Sequence, residues 1–494
     1  MDCNPESPTI AKDVVKRAQR HIEFVCRQLL RFAKMPVDER MAYLRKHPNE
    51  SFCHIPHPKG SGHILCGGLA WSKLGALTDL VLDLDRGLAR RVGRQRARSA
   101  VIDAFVKLVL QGPREDNQET AVLLLQDALA ALRQSLIVTE HYLPCVLFPE
   151  GAPDEFRVGP VTFTRREKFF KDRKSVLRRS VEAETAAHIE YVNAAVARGF
   201  SRERAYSEVE SRQLIRKLQA RAIKTYRGYP WIASVKVTDC DKEVSKERGA
   251  HAVEMAIHVI RVLLGAEPTR KIRHAWSQSD ALRTAHLYAD VHGVIHTSIG
   301  MSTSGPVGTE NWYEALMQGS NELEVFGSAL TSIVDPVDIQ HLRQRLIDAI
   351  SWFGDAATDS SASASIVKYV SAIERLFFGK FEPGRKKIFA GRVKGILEAF
   401  GCNEDHRVHE QALAVYKTRS ILVHGENFPT EDELHKVERL AAALSRMCLL
   451  CSTQLYPMMS QAFDNPDPTK LEEAMKRIGS EGLDWLVDAS GFRK

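Results

Sequence analysis

Apolar residues recur three and four positions apart through the first 148 residues of the chain, the spacing that places them on one face of an α-helix. The clearest examples are VVKRAQRHIEFVCRQLLRFAK, LAWSKLGALTDLVLDLDRGLARRV and AVLLLQDALAALRQSLI. The run FPEGAPDEFRVGP follows them, and its prolines and glycines are typical of a boundary. The pattern predicts a helical N-terminal domain over residues 1–150.

The pattern is mixed over residues 151–334. Strands are indicated from Val161 to Thr164 and in WIASVKV, which alternates from Trp231 to Val237. A basic helical stretch lies between them, and a long amphipathic helix follows that Gly265 ends. LYADVHGVIHTSI predicts a hairpin around its His-Gly pair. This part of the chain is therefore predicted to be an α+β middle domain.

Five helices are indicated from residue 335 onward. Asp335 and Pro336 suit the N-cap and the first helical position, where a missing N–H costs nothing. The fifth helix opens with a capping box of Thr430 and Glu433. The apolar stripes of the five helices are, in order, Ile339, Leu342, Leu346, Ile350 and Phe353; Ile366, Val370, Ile373 and Phe377; Phe389, Val393, Ile396 and Phe400; Val408, Ala412 and Val415; and Leu434, Val437, Ala441, Leu444, Cys448, Cys451 and Leu455. Short loops between such helices predict a compact antiparallel bundle over residues 335–460, with a helical tail at 461–494. The predicted fold class is mainly α.

The composition is that of an ordinary globular protein, with 44% hydrophobic and 27% charged residues, and a length of 494 residues requires more than one domain. No run approaches the roughly 20 apolar residues that span a bilayer, and the N-terminus MDCNPESPTIAKDVVKR lacks the apolar core of a signal peptide. Nine scattered cysteines disfavour a disulfide framework. These features predict a cytoplasmic protein without a membrane partner.

Positive charge is concentrated in two places, although the net charge is only +7. Phosphate groups respond to such local fields. The two clusters are Arg86, Arg90, Arg91, Arg94, Arg96 and Arg98; and Arg165, Arg166, Lys168, Lys171, Arg173, Lys174, Arg178 and Arg179. Each cluster fits a nucleic-acid contact and a solvated helix face equally well.

The apolar stripe of the fourth bundle helix continues onto Arg419. Arginine stays charged and is costly to bury without an anion, so this position indicates either an ion pair or a phosphate site. His424 follows five residues later, and histidine is the residue type whose ordinary pKa suits proton transfer near neutrality. On a continuous helix the two side chains point about 140° apart. Joint action within one chain therefore requires the helix to end between them, which Gly425 makes conceivable.

Three segments resemble the HEPN domain family, and its Apea-like branch in particular. YKTRSILVHG, residues 416–425, is similar to the R-x4-H helix of that family. SAIERLFFGK, residues 371–380, resembles its acidic second helix, and IFAGRVKGIL, residues 388–397, resembles its third. The resemblance covers the last quarter of the chain. It implies an all-α domain, a dimer that pairs two R-x4-H helices across a cleft, and RNA cleavage without a metal or another cofactor.

The resemblance also assigns roles to individual residues. It implies that His424 exchanges a proton with the ribose 2′-hydroxyl or the leaving 5′-oxygen and that Arg419 stabilises charge in the transition state, leaving a 2′,3′-cyclic phosphate. Glu374 would orient one of these two side chains. The family reading further places Tyr416, Lys417 and Arg392 against the substrate. Ser420 stands where many active relatives have a strongly polar asparagine, aspartate or histidine, and a serine still donates or accepts a hydrogen bond.

The biological role that this family implies is a toxin or antiphage effector that cuts cellular RNA. Because an unrestrained nuclease would kill its host, residues 1–334 are expected to sense a trigger or restrain a homodimer or larger homo-oligomer. An alternative is that Arg419 pairs with Glu374 inside the bundle and His424 merely ends a helix. The domain would then be a non-catalytic module for dimerisation or nucleotide binding.

Other residues suggest different chemistry. The loop FCHIPHPKGSGHILC gathers Cys53, His54, His57, His63 and Cys66, and a zinc-dependent hydrolase centred there is a third hypothesis. Cys448 and Cys451 form a CxxC, but they lie on an apolar stripe, so core packing is favoured. Glu184 and His188 have the spacing of a metal half-site on a helix, without a second partner in the sequence. His286, His292 and His296 flank the predicted hairpin and fit strand alternation.

Overall fold

The computed structural model describes residues 10–50, 53–59, 62–112, 117–148, 153–197, 207–275, 283–289, 295–301, 311–336, 340–380, 383–402, 407–425, 429–463 and 465–491. Over these residues the chain is mainly helical, with a small antiparallel sheet. This agrees with the predicted mainly α class. None of the described helices combines the length and the apolar character needed to cross a bilayer.

The helices follow one another along most of the chain. Their bounds are α1 Lys12–Lys34, α2 Val37–Lys46, α3 Gly67–Leu84, α4 Arg86–Ala89, α5 Arg94–Phe105, α6 Gln118–Gln134, α7 Arg166–Ala197, α8 Glu208–Tyr226, α9 Lys242–Leu264, α10 Ala266–Thr269, α11 Trp312–Gln318, α12 Ser320–Val334, α13 His341–Thr358, α14 Ala362–Phe377, α15 Arg385–Ala399, α16 Val408–His424, α17 Glu431–Ala462, α18 Pro468–Glu481 and α19 Asp484–Ser490. A 3₁₀ turn at Pro48–Glu50 and a π-helical turn at Val106–Leu110 join them.

The strands form two hairpins and one larger sheet. Their bounds are β1 His54–Pro56, β2 His63–Leu65, β3 Ile137–Val146, β4 Glu155–Val158, β5 Val161–Arg165, β6 Trp231–Cys240, β7 Arg273–His274, β8 Arg283–Ala289 and β9 Ile295–Met301. β1 pairs with β2 and β8 with β9, while the five-stranded sheet has the order β4-β5-β6-β3-β7.

The predicted strands are confirmed in β5 and β6, which run antiparallel with Phe163 opposite Ala233. Both Phe163 and Trp231 are fully buried, and the Trp231 indole donates to the Phe148 carbonyl at 3.1 Å. The hairpin predicted around the His-Gly pair is also confirmed, as β8 and β9, although its turn lies outside the described residues. The prediction that helices continue to residue 148 was wrong. β3 lies within that segment because a run with branched and aromatic residues alternates between two faces there.

The contacts divide the chain into two compact units, each assembled from three stretches. Unit 1 is Met1–Thr139, Lys174–Ala222 and Val237–Glu247, and unit 2 is Glu140–Arg173, Ile223–Lys236 and Arg248–Lys494. The core of unit 1 is formed by α1, α3, α5 and α6, with residues such as Ile22, Leu74, Phe105 and Leu125 inside. The four linear domains stay a prediction.

The C-terminal helices of unit 2 pack on one another. α14 contacts α13, α16 and α17, and α15 contacts α16, α17 and α18. The apolar stripes predicted for α13 and α14 are confirmed, since Leu346, Phe353, Ile366 and Phe377 are all almost fully buried. The capping box of Thr430 on α17 is present.

The predicted start of the first of these helices was wrong. Asp335 follows the last residue of α12 as its C-cap, and α13 begins only at His341, with Gln340 as its N-cap. Ile339, which was expected on the apolar stripe, lies outside the described residues. The proline after Asp335 therefore follows a helix end rather than opening a helix, the other position in which proline is common.

The C-terminal end of α14 is held by side chains from three other helices. The Tyr456 hydroxyl on α17 donates to the Leu376 carbonyl at 2.7 Å. The guanidinium of Arg392 on α15 donates to the Phe377 carbonyl, and that of Arg345 on α13 donates to the Phe378 carbonyl. The last carbonyls of a helix have no partner within it and carry partial negative charge, so two cations and a hydroxyl suit them.

A carboxylate from α18 completes this junction. Glu472 is 2% exposed and accepts from the backbone N–H groups of Gly379 and Lys380 at 2.6 and 3.2 Å. It also forms an ion pair with Arg392 at 2.5 Å. Burial by itself raises the pKa of Glu472, but Arg392 and the two amides outweigh it, and the pKa lies below its ordinary value.

We expect Glu472→Gln to cost about 3 kcal/mol of folding free energy near neutral pH, because it leaves the Arg392 guanidinium buried without its counter-charge. In wild type, the ionised Glu472 stabilises the fold fully above the pKa of about 4.3 that it has in the unfolded chain. This stabilisation is lost as the pH falls through the lower pKa that Glu472 has in the folded protein. Urea denaturation from pH 7 to pH 3 should therefore show that the difference in unfolding free energy between wild type and variant becomes smaller in acid. Glu473→Gln, at the neighbouring exposed position on α18, is the control and should track wild type. A gap that is constant with pH would contradict the assigned ion pair.

Candidate functional site

Helix α16 carries most of the residues singled out in the sequence. It begins after Arg407 and ends at His424, with Gly425 as C-cap at φ 76°, a left-handed conformation that glycine adopts without steric cost. Val408, Ala412 and Val415 are buried, as the apolar stripe predicted. The helix therefore does not end between residues 419 and 424, which was the condition for Arg419 and His424 to act together in one chain.

The last turns of α16 present two faces. At about 100° per residue, Lys417, Ser420 and His424 lie within about 60° of one another, and the first and last of these are exposed. Arg419 lies on another face, about 140° from His424, and Tyr416 lies between the two faces, about 60° from Arg419. The first face is open to solvent, and the second packs towards α14 and α15.

The surroundings of Arg419 satisfy its charge and its N–H donors only in part. Its side chain is 24% exposed, its guanidinium lies 3.9 Å from Glu374, and it sits over the Tyr416 ring at 5.7 Å. Its Nε is buried without a hydrogen-bond partner. Arginine has five N–H donors, and within the described part of the chain none of those on Arg419 makes a hydrogen bond.

Glu374 on α14 contacts Arg419, but it lies closer to an arginine that sequence reasoning missed. Its carboxylate is 2.7 Å from Arg385, in the first turn of α15, and accepts a 3.4 Å hydrogen bond from the Tyr416 hydroxyl. Burial and the Glu374 carboxylate raise the pKa of Tyr416, so the hydroxyl stays protonated and donates. Two guanidinium groups therefore face one carboxylate. Among the described residues Glu374 makes no contact with His424.

Further positive charge lies in the first turn of α15. Lys386 and Lys387 follow Arg385 in the first turn of α15, and both are exposed. A helix N-terminus already carries partial positive charge, and the first turn of α15 contains no acidic residue to offset it. The region around Glu374 thus has an excess of positive charge that suits an anion.

His424 lies at the exposed end of α16. No hydrogen bond or ion pair joins it to another described residue. The preceding Val423 is 50% exposed, a large apolar side chain open to solvent at the end of the helix. These features leave the imidazole accessible to a ligand or to a second chain.

Arg392, which the family resemblance placed against substrate, occupies a different environment. It is 6% exposed, and its guanidinium is engaged by Glu472 and by the Phe377 carbonyl. The structure does not bring it to the surface around Arg419. Its role in the described structure is to join α14, α15 and α18.

The histidine and cysteine loop forms the hairpin of β1 and β2. The rings of His54 and His63 are 4.6 Å apart, and the Lys59 amide donates to His57. Burial raises the pKa of Cys66 to about 12, which favours the thiol over the metal-binding thiolate. In the residues that the structure describes, three potential ligand atoms within 4.8 Å of one another occur elsewhere, at Glu254, His258 and Asp355, and not in this hairpin.

The remaining candidates have structural partners. Cys448 is fully buried and Cys451 almost so, as core packing predicted. His188 bonds to the Ser211 hydroxyl at 3.0 Å. In the arginine clusters, Arg94 pairs with Asp79, Arg98 lies over Trp71 and Arg173 pairs with Glu140. His286 and His296 lie on β8 and β9, and His292 lies outside the described residues.

No family model, no curated protein and no solved structure matches this chain.

We expect Glu374→Gln to lower the folding free energy by about 1–3 kcal/mol, because it leaves Arg385 and Arg419 facing each other without a counter-charge. An added oxyanion should bind in place of the lost carboxylate. The loss of folding free energy in the variant should therefore be smaller in phosphate or sulfate than in chloride at equal ionic strength. Thermal unfolding in the three salts measures this. Glu481→Gln, which removes the exposed i,i+4 partner of Arg477, is the control. An equal response of both variants to phosphate would show that the anion acts elsewhere.

Proposed function

We propose that this protein is a cytoplasmic, metal-independent endoribonuclease of the HEPN type, with Arg419 and His424 as its catalytic residues. The observation that carries the proposal is the state of Arg419. It is a half-buried guanidinium whose N–H donors make no hydrogen bond to a described residue and whose one carboxylate neighbour is shared with Arg385. The buried arginines that join helices in the same unit, Arg345 and Arg392, each donate to a backbone carbonyl, whereas Arg419 donates to no described residue.

The phosphodiester backbone of RNA supplies the missing partner. Arg419 can donate two parallel hydrogen bonds to the non-bridging oxygens of a phosphate and stabilise the charge that grows there in the transition state. Lys386, Lys387 and Lys417 add positive charge for the neighbouring phosphates. Glu374 and Tyr416 contact the guanidinium and position it, and the substrate contact predicted for Tyr416 stays a prediction.

His424 supplies the proton transfer. An exposed imidazole at a helix end can accept the proton of the ribose 2′-hydroxyl or return a proton to the leaving 5′-oxygen. The 2′-oxygen then attacks phosphorus, the bond to the 5′-oxygen breaks, and a 2′,3′-cyclic phosphate and a free 5′-hydroxyl remain. Such a reaction needs no metal-bound water.

The proposed mechanism uses a second copy of the chain. Because α16 is continuous, Arg419 and His424 point about 140° apart in one chain. A symmetric pair of α16 helices lets Arg419 of one copy act beside His424 of the other, which is also the arrangement that the HEPN resemblance implies. Exposed Val423 gives such a pair an apolar contact. A toxin or antiphage effector role, with the rest of the chain as sensor or restraint, rests on the resemblance alone.

The non-catalytic alternative requires that Arg419 be a structural partner of Glu374. A separation of 3.9 Å is at the limit of an ion pair, whereas Arg385 lies 2.7 Å from the same carboxylate. Arg385 is thus the better structural partner, which leaves Arg419 available. This difference favours a phosphate-binding role for Arg419 over a purely structural one, and the cleavage assay separates a ribonuclease from a module that only binds nucleotides.

We expect His424→Ala and Arg419→Ala each to lower the RNA cleavage rate by about 10²- to 10⁴-fold, the usual effect of losing a proton-transfer group or a preorganised charge. Cleavage by wild type should continue in excess EDTA at a temperature at which the chelated protein is still folded, and the products should end in 2′,3′-cyclic phosphates. His435→Ala, an exposed histidine on α17, is the matched control and should cut like wild type. A folded His424→Ala protein with wild-type cleavage would refute the mechanism, and 5′-phosphate ends would indicate a metal-dependent nuclease.

Val423→Asp should convert the homo-oligomer into monomers and abolish cleavage, because it places a charge in the expected contact between two α16 helices. Light scattering should show a smaller mass, and a cooperative thermal transition of the same sample should show that the monomer is folded, at a melting temperature that no longer depends on protein concentration. Val209→Asp, at a valine on α8 that is 66% exposed, is the control and should keep both the mass and the activity. A wild-type protein that is monomeric at micromolar concentration and still cuts RNA would contradict the composite site.

A further inference from the structure

A second group of polar side chains lies between α9 and α13, two helices of unit 2, apart from the residues of the proposed nuclease site. Glu254 and His258 are one helical turn apart on α9, and Asp355 faces them from α13. One potential ligand atom from each lies within 4.8 Å of the other two. No hydrogen bond or ion pair joins either carboxylate to a described residue, although each is half-buried.

His258 is the unusual member of this group. It is 3% exposed, and its Nδ1 is buried without a hydrogen-bond partner. Burial, and then the charge of Arg261, lower the pKa of His258 well below its ordinary value, so the ring is neutral and one nitrogen carries a lone pair. A buried polar atom without a partner costs free energy and calls for an explanation.

The backbone of α13 makes room for this ring. A Cβ added at Gly354 would lie 2.0 Å from both Cγ and Nδ1 of His258, far inside van der Waals contact. The imidazole thus takes the space that a side chain at residue 354 would need. The glycine is also adjacent to Asp355, so the same close approach brings the ring and the carboxylate together.

The protein offsets the charges in the cluster only in part. Burial and the neighbouring Asp355 raise the pKa of Glu254, and burial raises the pKa of Asp355 despite Lys368 and Arg261. Arg261 is fully buried and its charge is felt by both carboxylates, but its guanidinium donates to the Ile272 carbonyl, and no ion pair joins it to either carboxylate among the described residues. A cation placed among the three ligand atoms would offset both negative charges and take up the imidazole lone pair.

We propose that Glu254, His258 and Asp355 bind a divalent transition-metal ion, which ties α9 to α13. One imidazole nitrogen and two carboxylate oxygens suit Zn²⁺ or Mn²⁺, whereas Mg²⁺ and Ca²⁺ prefer oxygen ligands alone. Around a tetrahedral ion with bonds of about 2.0–2.1 Å, neighbouring ligand atoms are about 3.3 Å apart. The atoms therefore need to approach by at most about 1.5 Å, which rotation of the Glu254 and Asp355 side chains can supply.

Three protein ligands leave at least one coordination position for water or a small anion. The partial exposure of the two carboxylates gives the ion a route from solvent. This site is independent of the proposed RNA cleavage, which uses no metal. The bound ion is expected to hold α13, the first of the C-terminal helices, against α9. Loss of the ion should therefore lower the folding stability and leave the chemistry of RNA cleavage unchanged.

The test uses the full-length protein, stripped with EDTA and desalted, then titrated with ZnCl₂, MnCl₂ and MgCl₂ by calorimetry and followed by thermal unfolding. Wild type should bind one Zn²⁺ or Mn²⁺ per chain at this site, should bind Mg²⁺ far more weakly, and should melt at a higher temperature with the bound ion. Glu254→Gln and Asp355→Asn should each lower the Zn²⁺ affinity at least about 100-fold. Without metal, both variants should melt at or above the wild-type temperature, because they remove the repulsion between two carboxylates.

Two controls separate this site from other zinc ligands. Glu184→Gln removes a carboxylate that has the same i,i+4 spacing to a histidine, on α7. Cys53→Ala removes a possible ligand next to the β1-β2 hairpin. Neither change should alter the metal binding that Glu254→Gln removes. Co²⁺ in place of Zn²⁺ should give visible absorption bands in wild type and in both controls, but not in Asp355→Asn. Absence of stoichiometric binding by wild type would overturn the proposal. Equal binding by wild type, Glu254→Gln and Asp355→Asn would overturn it as well, because the ion would then lie elsewhere.

Discussion

The C-terminal part of unit 2 depends on how the end of α14 is satisfied. Three consecutive carbonyls, of Leu376, Phe377 and Phe378, accept from Tyr456, Arg392 and Arg345 on three different helices. Glu472 from a fourth helix takes the next two amides. Buried backbone groups must be paired, so this arrangement fixes the positions of α13, α15, α17 and α18 relative to α14. Apolar burial brings the helices together, and these bonds select one arrangement.

The same helix end supplies the carboxylate of the candidate site. Glu374 lies one turn before the three carbonyls, and α15, which Arg392 anchors, brings Arg385 to it. Because Arg385 already neutralises Glu374, Arg419 on α16 reaches a carboxylate that has a closer partner. The excess positive charge at this place is therefore a consequence of the packing, and a change at the junction, such as Glu472→Gln, also affects the geometry around Arg419.

The sequence predicted what periodicity determines. The helical stripes of α13 to α17, the strands β5 and β6, and the helix end at Gly425 each follow from local patterns that packing reinforces. The ion pairs made by Arg385 and by Glu472 could not be predicted from the sequence, because each joins two helices that only the packing brings together. Glu254 and His258 have the same spacing as Glu184 and His188. They were missed because an apolar stripe surrounds them, and Asp355 joins them only in the folded chain.

Three arginines of unit 2 donate hydrogen bonds that hold the fold together, and Arg419 differs from them. Arg345 and Arg392 donate to helix-end carbonyls, and Arg446 donates to the carbonyls of Val262 and Leu263 at 2.7 and 2.6 Å. These guanidiniums are used by the fold, and removing one would leave backbone acceptors unsatisfied. Arg419 contributes no such bond to a described residue, yet it is held by an aromatic ring and a distant carboxylate. A cation that is held in position and keeps unused donors is suited to a phosphate group, and the proposed function depends on this difference between Arg419 and the arginines that join helices.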